Sequence, residues 1–89
     1  MITIWPEYIN KNLTHSEGRK ISKDDSVKDP TLSEIERAVK RLGLSYNIQK
    51  EVSYPGRWYE KSGRILVEWD KTKLELLREV SSMIKEIRN

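Results

Sequence analysis

A connection of roughly 25 residues separates the first strand of this 89-residue chain from its first amphipathic helix. Loops beyond about 12–15 residues are uncommon in compact domains unless they carry function or are disordered. The strand is the apolar start at residues 1–4, and the helix begins at about Thr31. The connection opens on Trp5-Pro6-Glu7-Tyr8 and runs through Glu17-Gly18-Arg19-Lys20. A Trp, a Pro, a Tyr and a Gly-Arg-Lys step argue for an ordered segment with a task, so the fold has to be built around it.

The regular elements follow from periodicity. Ile2 and Ile4 alternate with Thr3 and Trp5 until Pro6 removes a ladder donor, which reads as a strand. Thr31 with Glu34 three residues on is a capping box, and Leu32, Ile35, Val39 and Leu42 then recur at helical spacing up to Gly43, a left-handed C-terminal cap. Leu44, Tyr46 and Ile48 alternate as a second strand that ends between Gln49 and Val52. Ile65, Val67 and Trp69 alternate as a third. Thr72 and Glu75 open a closing helix with Leu76, Leu77, Val80, Met83, Ile84 and Ile87 as its apolar stripe. The predicted fold is α+β: a βαββα two-layer sandwich with a three-stranded antiparallel sheet in order 1-3-2 and two helices packed on one face. All 89 residues are expected to make one domain.

That topology brings residues 5–23 and 54–64 to neighbouring strand ends, where they could form one continuous surface. Charge singles out nearly the same segments. Residues 6–23 hold Lys11, Arg19, Lys20 and Lys23 against Glu7 and Glu17, and residues 53–64 hold Arg57, Lys61 and Arg64 against Glu60. The remaining 10 basic and 11 acidic residues nearly cancel, so the net charge of +3 is concentrated in two segments outside the regular elements. Such a distribution steers a polyanion, although solvated loops can look the same.

Other chemistry is poorly supplied. With no cysteine and one histidine, neither a thiolate nor a His-rich metal site is expected. No phosphate-cradling Gly-x-x-x-x-Gly-Lys loop occurs, and adjacent Asp24-Asp25 reads first as a turn. Neither catalysis nor a cofactor is therefore expected. No apolar run reaches the ~20 residues that cross a bilayer, so a cytoplasmic protein without membrane insertion is expected, acting as a monomer. RNA or DNA binding has more support, because aromatics beside Arg and Lys combine stacking with phosphate neutralisation. The open sheet face would present Thr3, Asn47, Gln49, Leu66 and Glu68, which is no stacking platform, so binding would use loops. Tyr46 and Trp69 read as core. Trp5 and Trp58 read as loop anchors or as contacts, with the anchor role preferred for both, and for Tyr8 and Tyr54 both roles stay open.

The ordered set Ile4-Trp5-Pro6-Glu7-Tyr8-Ile9, Ser16-Glu17-Gly18-Arg19-Lys20-Ile21, Val27-Lys28-Asp29-Pro30-Thr31, Leu42-Gly43-Leu44, Tyr54-Pro55 with Trp58, Gly63-Arg64-Ile65-Leu66-Val67 and Leu76-Leu77-Arg78-Glu79 resembles the archaeal 19-kilodalton subunit of the signal recognition particle. It covers nearly the whole chain. The resemblance implies a protein that binds the particle's 7S RNA by clamping the tips of two adjacent hairpins, helices 6 and 8. It also implies pre-organisation of the RNA for a 54-kilodalton GTPase subunit, met mainly through the RNA. Carried onto this sequence, it implies RNA contacts by Pro6, Tyr8, Asn10, Lys11, Arg19, Lys20, Lys23, Tyr54, Arg57 and Arg64. Two positions depart from the family pattern. Gly56 stands where Arg often follows Tyr-Pro, with Arg57 one place later, and Ser22 stands where Pro commonly follows Gly-Arg-Lys-Ile. The runner-up reading is a protein-interaction or regulatory domain of ferredoxin-like topology that binds no RNA.

Overall fold

The computed structural model describes residues 1–55 and 61–89. Its elements are β1 (Ile2–Ile4), α1 (Leu32–Arg41), β2 (Tyr46–Gln49), β3 (Arg64–Val67) and α2 (Lys73–Arg88), with 3-10 turns at Pro6–Ile9 and His15–Glu17. The strands form one sheet in order β1-β3-β2, antiparallel at both joins, as the sequence predicts. Ile4 pairs with Ile65 and Ile2 with Val67, while Tyr46 and Ile48 face the same two residues from the other side. Because side chains alternate across a strand, this register puts the apolar set on one face. There it packs with Ile35, Ala38 and Val39 of α1 and Leu76, Leu77, Val80 and Ile84 of α2.

Local signals fix the helix ends. Thr31 Oγ1 accepts from the Glu34 amide at 3.2 Å, and a Glu34 carboxylate oxygen accepts from the Thr31 amide at 3.0 Å. This reciprocal box satisfies two donors that a helix start leaves open. At the other end the Gly43 amide donates to the Lys40 carbonyl and the Leu44 amide to the Val39 carbonyl, with Gly43 at φ 74°. That pair of bonds is a Schellman cap. α2 starts in the same manner, with Thr72 Oγ1 accepting from the Glu75 amide.

Two strands are shorter than their alternation suggests. β2 begins at Tyr46, two residues after Leu44, and β3 stops at Val67, before Trp69. Trp69 packs at the edge of the core and donates its indole N–H to the Thr72 carbonyl at 2.8 Å, stapling the turn into α2. Tyr46 is likewise half-buried, its hydroxyl donating to Glu36.

Residues 6–30 form a strap that is part of the core. Tyr8, Ile9, Ile21 and Val27 belong to the main apolar cluster, and Leu13 is also buried. The strap closes on itself by a parallel bridge between Asn10 and Val27, where the Lys11 amide donates to the Val27 carbonyl and the Val27 amide to the Ile9 carbonyl. α2 clasps its far bend. The buried Ser81 hydroxyl donates to the Asp25 carbonyl, Lys85 Nζ donates to the Asp24 carbonyl at 2.7 Å, and Arg78 pairs with Asp25 at 3.6 Å.

Candidate nucleic-acid interface

The two basic segments meet, as the topology predicts, and Tyr54 is where they meet. Its ring lies edge-on to Trp5 (centroids 5.5 Å apart, planes at 73°) and to Tyr8 (5.8 Å, 87°). Edge-to-face packing brings the positive rim of one ring to the negative face of another. Gly18 passes beneath the same ring at φ 128°, and a Cβ there would stand 3.0 Å from Tyr54 Cε2. No L side chain suits that backbone or that space, which accounts for glycine at this step. Ser62 completes the join by donating to the buried Glu7 carboxylate at 2.9 Å.

Cations surround this aromatic junction. The Arg64 guanidinium carbon lies 5.3 Å from the Trp5 ring centroid while its Nε donates to the Gln49 side chain. Lys20 Nζ stands 5.5 Å and Lys73 Nζ 4.4 Å from the Tyr8 ring centroid. All three fall within the ~6 Å over which a ring quadrupole attracts a cation. Burial pushes the Lys73 ammonium below the ordinary lysine pKa, because a partly desolvated site disfavours the charged form.

The structure gives the sequence-derived contact residues three different situations. Lys11, Lys20 and Lys23 are exposed, and Arg64 and Tyr54 are half-buried at the junction. Pro6 and Tyr8 are buried: Pro6 starts the first 3-10 turn, and the Tyr8 ring is 9% exposed beneath the two ammonium groups. Asn10 and Arg19 spend their side chains inside the strap. Asn10 Oδ1 accepts from the amides of Asn12 and Asp29, at 3.0 and 3.2 Å. Arg19 donates to the carbonyls of Ile21 and Leu13, at 2.9 and 2.7 Å. A segment without a ladder leaves carbonyls to be satisfied, and the guanidinium fork reaches two of them. Arg57 lies outside the described residues, as does Trp58. Trp5, 7% exposed, is an anchor.

Sequence reasoning missed Lys73, which reads locally as an ordinary first-turn residue and meets Tyr8 only because α2 packs against the strap. It also missed a groove of about 670 Å³ between the strap and the end of α2. Lys11, Arg19, Lys23 and Lys28 line one side, and Lys85 and Arg88 the other. Two neighbouring features have internal partners. His15 Nδ1 bonds the Arg19 carbonyl, and Asp25 closes a turn with Ser22. Among the described residues no group of three His, Cys, Asp or Glu side chains could hold a metal ion, and no helix is long and apolar enough to cross a membrane.

The fold and its loops define a class: a two-layer α+β domain that displays basic, aromatic-stapled loops from one end of its sheet. The chain belongs to the SRP19 protein family, whose model matches residues 3–87. It is 62% identical over 88 residues to the signal recognition particle 19 kDa protein of Methanobrevibacter smithii, covering 99% of both chains. The fold superposes on that of SRP19 solved in complex with the S domain of signal recognition particle RNA, with TM-score 0.89 and 38% identity over 93% of this chain and 95% of that one. It also matches the solution structure of SRP19 from Archaeoglobus fulgidus, with TM-score 0.68 and 30% identity over 97% and 86%.

Proposed function

We propose that this chain binds signal recognition particle RNA and serves in assembly of that particle. The observation that carries the reading is the interlocked junction. Two basic segments far apart in sequence are joined by Tyr54 to Trp5, Tyr8 and Gly18, which presents Lys20, Lys73 and Arg64 on one preformed surface. The related SRP19 solved with the S-domain RNA supports RNA as the polyanion. Residues 1–89 act as one RNA-binding domain, monomeric and cytoplasmic, in a binding rather than a catalytic role. Pre-organisation of two hairpin tips for the 54-kilodalton GTPase subunit is the role the family resemblance assigns.

Within the proposed contact set, Lys11, Lys20, Lys23 and Arg64 touch phosphates and sugars, with Arg57 as a further candidate. Pro6, Tyr8, Asn10, Arg19 and Tyr54 hold the surface in shape, and Lys73 joins the contacts. Paired RNA exposes little sequence in its deep major groove, so backbone contacts should dominate over base edges. A gel shift with the two-hairpin RNA and a single-hairpin control tests this. The expected result is tight binding to the two-hairpin RNA, weakened steeply by salt and weakened again in Lys20→Ala. Salt-insensitive binding that Lys20→Ala leaves unchanged would overturn the reading. A partner complex that survives nuclease with no RNA retained would favour a protein-interaction domain instead.

A further inference from the structure

We infer that the groove between the strap and the C-terminal half of α2 is a second RNA-backbone site, separate from the aromatic junction. The inference rests on the RNA-binding reading above and adds where a second stretch of strand is held. Six basic residues line the groove, and among its described lining residues there is no Asp or Glu. Lys73 sits at the junction and Lys85 at the groove. Twelve residues apart on one straight helix, they are separated by roughly 18 Å along its axis. That exceeds the ~10 Å screening length at 0.1 M salt, so these two α2 lysines attract anions largely independently, while on the strap the neighbours Arg19 and Lys20 face the groove and the junction respectively.

The groove is built before any ligand arrives. Arg88 clamps Glu34 with two hydrogen bonds of 2.6 and 2.8 Å, Lys85 and Ser81 hold the carbonyls of the strap's bend, and Arg19 holds the carbonyl of Leu13. These contacts fix the walls. Lys11, Lys23 and Lys28 are exposed, and their ammonium groups make no hydrogen bond or ion pair with the described residues, so they are available to an incoming anion. The ligand chemistry follows from what is present and what is not. Among the described residues no aromatic side chain lines the groove, so these offer phosphate and hydroxyl recognition without base stacking. It suits the sugar-phosphate backbone of a paired segment, whereas the junction, with its rings, is where an unpaired base could be met.

The test compares Lys28→Ala and the double variant Lys23→Ala/Lys28→Ala with wild type. Both substituted positions are exposed, and thermal unfolding should show unchanged stability. Binding to the two-hairpin RNA is measured as a function of salt, and backbone protection is mapped by hydroxyl-radical footprinting. The double variant should bind about 10-fold more weakly at moderate salt, with a salt slope shallower by about two. It should lose protection of one RNA segment while keeping the segment that Lys20→Ala loses. If wild type binds but the double variant matches it in affinity, slope and footprint, the groove site is wrong and the RNA reading stands. Loss of the same protections in the groove and Lys20 variants means one site and overturns the separation. If polyglutamate binds wild type, this binding is lost in the double variant and the RNA footprint stays intact, the groove serves an acidic protein. Failure of wild type to bind RNA overturns the RNA reading itself, and this inference with it.

Discussion

The two ends of the strap hold their cations in opposite ways. At the aromatic junction Lys20, Lys73 and Arg64 rest against ring faces, 4.4–5.5 Å from their centroids, and the rings hold one another edge-on. At the groove the inner cations are tied to carbonyl and carboxylate oxygens by directional hydrogen bonds, and the outer lysines extend free of the described residues. A ring steers a cation weakly and lets it slide, so the junction lysines can re-aim toward a ligand, whereas Arg64 is also held by the Gln49 side chain. A hydrogen-bonded guanidinium cannot re-aim without losing its partners. The junction should therefore depend on aromatic packing and the groove on polar contacts, and separate perturbations should disable each.

The largest expected effect is that of Tyr54→Ala. The substitution removes both edge-to-face contacts and the ring over Gly18. Each aromatic pair contributes about 0.5–1.5 kcal/mol beyond area burial, so stability should fall by about 1–3 kcal/mol in urea denaturation. RNA affinity should fall by on the order of 10-fold or more, because the second segment loses its register on the first. Footprints at the groove should persist. If Tyr54→Phe behaves like wild type and Tyr54→Ala loses groove protection too, the two ends form a single unit and the contrast fails.

Acid should act on the opposite end. The Arg88 guanidinium hydrogen-bonded to Glu34 holds that carboxyl well down, from 4.5 to about 2, against the opposing effect of burial. The folded-state pKa lies below the unfolded one, so on acidification the unfolded chain takes up the proton first. The contribution of the pair is intact above about pH 4.5 and is lost as pH falls toward 2. The melting temperature should thus drop more steeply over that window in wild type than in Glu34→Gln, which has no carboxylate to protonate. Identical acid profiles would mean that the clamp on the groove wall contributes nothing to stability. Because Glu34 also closes the cap of α1, Arg88→Gln is the cleaner partner variant: it keeps the box and removes the cation.

Much of this was legible in the sequence, and the exceptions have physical causes. The caps at Thr31, Gly43 and Thr72 could be read because each is a short-range rule acting over three to five residues. The order 1-3-2 follows from alternation plus the handedness of crossovers. Alternation also puts Trp5 on the side of β1 opposite Ile4, and that side is open only until the segment after β2 folds over it. The burial of Trp5 under Tyr54 is therefore a tertiary fact that no local pattern carries. Arg19 looked like a free cation because nothing in Gly-Arg-Lys shows that the strap would leave the carbonyls of Leu13 and Ile21 within its reach. Lys28 on the strap and Lys85 and Arg88 on α2 come from two distant stretches of sequence, and only the clasp of α2 on the strap gathers them. Cations clustered within one segment can be read from the sequence, whereas those gathered by packing cannot.

The smallest expected effect, and the sharpest probe of the junction, is Lys73→Met. Its ammonium is packed closest to Tyr8 and is the one that burial disfavours in charged form, so in the free protein its attraction to the ring is offset by lost hydration. Methionine keeps the stem over the ring and removes the charge. Unfolding midpoints should consequently shift by less than about 0.5 kcal/mol, the range of an ordinary surface change. RNA affinity should nevertheless weaken by about 3- to 5-fold at low salt, with the salt slope reduced by about one, because one phosphate contact is lost. Lys20→Met, also on the Tyr8 ring but with its ammonium farther from the centroid, gives the internal comparison, and a comparable loss is expected. A Lys73→Met variant that binds RNA with wild-type affinity and slope at low salt would remove α2 from the junction and leave the contact surface to the two loop segments alone.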